Sequence, residues 1–80
     1  MIKVLILTSG EILVTQIEEV GSELGEPDCK LTKPYLVAYE LTPWLENVTS
    51  ADTFMISSDK ILTLTDPRPT LLEKYETLIK

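Results

Sequence analysis

Apolar residues along this chain fall into two blocks, Ile2 to Val20 and Thr53 to Thr65, separated by a polar, loop-rich middle. Each block is cut once by small or polar residues, Thr8-Ser9-Gly10-Glu11 in the first and Ser57-Ser58-Asp59-Lys60 in the second. Lys3 to Thr8 is β-branched and leucine-rich with no breaker, so it reads as a strand. Ser9-Gly10 supplies a tight turn, because glycine takes a positive φ without steric cost. Glu11 to Val20 reads as a second, longer strand, with Ile12 and Val14 on one face and Leu13 and Ile17 on the other. A strand apolar on both faces has to be covered twice. The inside of a small bent barrel would cover one face, and a helix or a neighbouring subunit the other.

Gly21 to Asp28 is a loop by composition. Cys29 to Leu41 reads as a third strand, in which Pro34 removes a ladder donor and marks an edge or a bend. Leu41 to Asp52 is a second loop, whose Trp44 is expected to close one end of the core. Phe54-Met55-Ile56 and Ile61 to Leu64 form the last strand pair around a tight turn. Asp66-Pro67-Arg68-Pro69 then ends the strand. Beyond it Thr70 and Glu73 have the spacing of a capping box. Leu71, Leu72, Tyr75, Leu78 and Ile79 make one apolar stripe of a helix over about 69–79. A helix this short is marginal alone and must dock, on its own barrel or on the next subunit. The pattern therefore predicts a single, mainly β domain over 1–80: a five-stranded, strongly bent barrel within about 2–66 and one C-terminal helix.

Size sharpens this picture. A chain of 80 residues buries only about 60% of its unfolded surface, and domains this small often lean on disulfides, a metal or oligomerisation. Cys29 is the only cysteine, which excludes an internal disulfide, and the absence of histidine excludes the common zinc sites. Oligomerisation is the support that remains. Cys29 is expected to pack rather than react, since no neighbour in sequence would lower its pKa.

Charge narrows the choice of partner. The net charge is −6, and residues 1–28 carry most of it, with Lys3 set against Glu11, Glu18, Glu19, Glu23, Glu26 and Asp28. Phosphate binding needs clustered Lys and Arg, yet Lys30 with Lys33 is the only close basic pair and Arg68 the only arginine. Catalysis finds little footing either. Glu18 and Glu19 are adjacent in a strand and point to opposite faces, and Ser57-Ser58 lacks both a histidine base and nucleophile-elbow glycines. No Gly-rich phosphate loop or calcium-loop spacing occurs. A non-enzymatic protein with no catalytic or metal residues and no cofactor is expected. The N-terminal apolar run is too short for a signal peptide and no segment reaches membrane-spanning length, so a soluble cytoplasmic protein without membrane partners is expected.

The strand–turn–strand, loop, long bent strand, strand–turn–strand layout resembles the Sm-like barrel of the Sm, LSm and Hfq proteins over residues 2–65. Leu7-Thr8-Ser9-Gly10-Glu11 looks like the first Sm motif, with Gly10 at the turn glycine. Thr15 departs from the glycine that often bends the second strand. Ile56-Ser57-Ser58-Asp59-Lys60-Ile61 is similar in spacing to the second motif, hydrophobic-Arg-Gly-x-x-hydrophobic. Ile56 and Ile61 match its apolar positions, and Ser57 and Ser58 replace Arg-Gly. In the family that arginine and a loop asparagine contact an RNA base. Here the nearest analogue of the asparagine is Asp28, whose charge repels phosphate, and the family helix precedes the barrel whereas this one follows it. The chain thus looks like one of the divergent small versions found in phage and environmental sequences.

The resemblance implies a homo-oligomeric ring of about five to seven subunits, closed by pairing the fourth strand of one with the fifth of the next. Unprotected strand edges support the same expectation, since Phe54 to Thr65 has no gatekeeper except Lys60 at its turn. The functional expectation is a ring-forming assembly or interaction module whose acidic face meets a basic protein. The alternative is RNA binding at a degenerate site near Asp28, Ser57 and Ser58. Stacking there would come from Tyr35, Tyr39 or Trp44, and charge from Lys30, Lys33 and Lys60.

Overall fold

The computed structural model describes residues 1–80. Strands β1 (Ile2–Leu7) and β2 (Ile12–Glu19) form an antiparallel hairpin, with Leu5 opposite Leu13 and Val4 opposite Val14. Its turn closes with Gly10 N–H donating to Leu7 O at 2.8 Å and Leu7 N–H donating to Glu11 O at 2.9 Å. Gly10 sits at φ +94° with open space where a Cβ would lie, so backbone conformation and not crowding selects glycine.

Strand β3 (Cys29–Val37) runs antiparallel to β2. Its far side is shared by two short strands, β4 (Leu41–Pro43) on its C-terminal half and β5 (Thr53–Ile56) on its N-terminal half. A single 3-10 turn, Ser58–Lys60, leads to β6 (Ile61–Thr65), which pairs with β1 at the opposite end. Helix α1 (Pro69–Leu78) follows.

The result is an open six-stranded antiparallel sheet, which corrects the expected five-stranded barrel in two respects. The third strand stops at Val37, and Leu41–Pro43 folds back on it as an extra strand. The last two strands do not pair with each other: β5 binds β3 and β6 binds β1, so the sheet does not close. Only the four residues Ser57–Lys60 link them, and the 3-10 turn carries the chain between the two ends of the sheet.

One face of the sheet holds a cluster of Leu5, Leu7, Leu13 and Leu31, with Ile17, Leu36, Trp44, Phe54, Ile56 and Ile61 packed against it. Trp44 meets Phe54 edge-to-face at 5.4 Å, so it closes this core as expected. Val14 is fully buried on the opposite face, beside Tyr35 across the ladder. The two-sided burial of β2 is therefore real, and α1 supplies part of the second cover through Tyr75, whose ring lies edge-on to Tyr35 at 5.8 Å.

The sheet bends where the β2–β3 register shifts between Val14 and Gln16. Lys33 takes φ +51° there and Pro34 is buried beside it, so Pro34 marks a bend. Thr15, standing where the family often has glycine, is fully buried and donates its hydroxyl to Thr32 O at 3.2 Å. The Tyr75 hydroxyl fills the rest of the gap. It accepts from Gln16 N–H at 3.2 Å and donates to Lys33 O at 2.7 Å. The expected Thr70–Glu73 capping box does not form. Pro69 occupies the first turn and Arg68 is the cap, without a side-chain hydrogen bond. No helix is long and apolar enough to cross a membrane.

Candidate functional site

Asp28 ends the loop before β3, and Ser57 and Ser58 follow β5, which is paired to the start of β3 through Cys29 and Ile56. That ladder brings the three residues to one corner. The Asp28 carboxylate accepts from Ser58 N–H at 2.7 Å through Oδ1 and from the Ser58 hydroxyl at 2.8 Å through Oδ2. These two hydrogen bonds hold its carboxyl below the ordinary carboxylate value. Both oxygens are thus already engaged by the chain's own donors. Beside it Cys29 is buried. Burial pushes its thiol up, and the negative charges of Asp28 and Glu19 add to the effect, so the thiol is a packing group with little thiolate character.

The remaining residues nominated from sequence do not gather at this corner. Lys30 lies 3.6 Å from Glu18, in one of two ion pairs of the chain; the other joins Lys3 to Asp66. Lys33 donates its ammonium to Ile79 O at 3.2 Å. Trp44 donates its indole N–H to Glu11 at 3.2 Å, which ties the first turn to the loop after β4. Tyr35 is packed on Tyr75. Lys60 is exposed, and its backbone carbonyl accepts from Thr8 N–H at 2.9 Å. Tyr39 stands fully exposed at the tip between β3 and β4.

The sheet edges fall in the run Phe54 to Thr65, where the sequence offers no gatekeeper except Lys60. β5 and β6 each have a neighbour on one side only. Met55 on β5 is 47% exposed, and on β6 Leu62 and Leu64 are 69% and 49% exposed. The sequence signal for β6 is the run Ile61-Leu62-Thr63-Leu64-Thr65, too apolar for a strand that ends in solvent.

A comparison with curated proteins finds no match. The model of DUF6561, a family of unknown function, matches residues 1–80, and the chain belongs to that family.

Proposed function

We propose that this member of DUF6561 is a non-enzymatic assembly module, a Sm-like subunit that forms a ring by pairing its β5 edge with the β6 edge of the next copy. The observation that carries the reading is the pair of open edges lined by Met55, Leu62 and Leu64. An unpaired edge presents free N–H and C=O groups, and a second strand laid along it satisfies them. Because β5 and β6 are different surfaces, each contact is head-to-tail, and a closed ring leaves neither of these two edges unpaired. The acidic stretch ending at Asp28 then repeats around the ring, a field suited to a basic protein partner.

Native mass spectrometry of the full chain tests this. Rings of about five to seven subunits, single or joined in pairs, are expected. Leu62→Lys combined with Leu64→Lys places two charges on the β6 edge, at side chains 69% and 49% exposed, and should abolish them while the circular dichroism stays that of the wild type. A wild-type species no larger than a dimer would overturn the reading.

A further inference from the structure

Alongside α1 lies a groove of about 760 Å³ whose apolar wall is Val37, Leu41, Leu71 and Leu78. Tyr39 stands on its rim, wholly exposed and so packed on nothing in its own chain. An aromatic ring projecting beside an apolar hollow gives one patch both a knob and a hole, the arrangement a two-fold contact requires. Tyrosine is also among the residues that most often anchor interfaces.

Charge points to the same occupant. Most of the charge on this chain is acidic and repels a second copy, but the groove is lined by Lys74 as well as by Glu40 and Glu73. None of the three is in an ion pair within the chain. Across a two-fold axis Lys74 of each copy can meet a carboxylate of the other, so this patch is complementary to itself.

We propose that a second copy of this chain docks here across a two-fold axis, with Tyr39 of each copy seated in the groove of the other between the β3–β4 tip and α1. The contact uses neither β5 nor β6, so it is separate from the edge pairing and would join two rings.

The masses of four proteins test it: wild type, Tyr39→Ala, the β6 edge variant with Leu62→Lys and Leu64→Lys, and the combination. Tyr39→Ala is expected to halve the wild-type mass, the edge variant to leave a dimer, and the combination to leave a monomer. Lys74→Glu should also halve the wild-type mass, and Lys74→Glu with Glu40→Lys and Glu73→Lys should restore it. A wild-type dimer that Tyr39→Ala makes monomeric would sink the ring and leave this contact standing. An unchanged mass in Tyr39→Ala, with the circular dichroism of the wild type, would overturn the two-fold contact and leave the ring untouched.

Discussion

At the corner between β3 and the 3-10 turn, one carboxylate organises two pieces of chain that are 30 residues apart. Asp28 holds the amide and the hydroxyl of Ser58, and no lysine or arginine shares it. Its titration therefore reports on that corner. The folded chain favours the charged carboxylate, so its pKa lies below the 3.8 of an ordinary aspartate. The stabilisation is fully present above that ordinary value and is lost as pH falls through the lower, folded one. Asp28→Asn keeps the shape but removes the charge and one acceptor. In urea unfolding at neutral pH the wild type is expected to be the more stable, and the gap should close as pH drops below the ordinary aspartate range. A gap that does not vary with pH would mean that the carboxylate's charge has no part in the clamp.

Among the elements, α1 depends on one side chain. Tyr75 is its only fully buried residue, and its hydroxyl partners Gln16 N–H and Lys33 O where the β2–β3 ladder breaks. Tyr75→Phe keeps the ring against Tyr35 but leaves those backbone groups without a partner. A loss of about 1–3 kcal/mol in urea unfolding is expected, with faster hydrogen exchange at the Gln16 amide. Burial, the leading influence, raises the Tyr75 phenol above its ordinary value of 10.0. Folding thus favours the neutral phenol, and the stability it contributes is present below the ordinary value and lost as pH rises through the folded one. Tyr75→Phe should remove that alkaline dependence.

The stripe that places Tyr75 on the docking face of α1 was legible from Leu71, Leu72 and Ile79, because helical spacing is a local property. The Gly10 turn and the two faces of β2 were legible for the same reason. The partner of the hydroxyl was not, since it depends on a register shift between strands distant in sequence. Nor was the pairing of β5 with β3, which made an expected barrel into an open sheet. The capping box failed for a local reason: Pro69 starts the helix one residue before Thr70, leaving Arg68 as a cap with no side-chain acceptor. At the corner, Asp28 and Ser58 were named from motif spacing and do meet, but the sequence did not show that they would bind each other.

For the whole molecule, charge and packing bear jointly on nucleic acid. A binding surface for single-stranded RNA needs aromatic rings free to stack and cations free to meet phosphates. Tyr35 lies against Tyr75, Trp44 against Phe54, Lys30 near Glu18 and Lys33 on Ile79 O. Of the residues nominated for RNA, that leaves Lys60 and Tyr39, which sit on separate elements, in a chain of net charge −6. Assembly into rings would multiply that charge with each subunit and strengthen the repulsion of phosphate. A labelled uridine-rich oligomer titrated with the full chain is therefore expected to show no saturating anisotropy change up to about 100 μM protein at physiological salt. Any weak binding at low salt should vanish as salt is added, without protecting Trp44 from an aqueous quencher. Saturable binding at physiological salt that is lost in Asp28→Asn or in Ser58→Ala would return function to the corner between β3 and the 3-10 turn. It would also mean that the carboxylate clamp opens to admit a base.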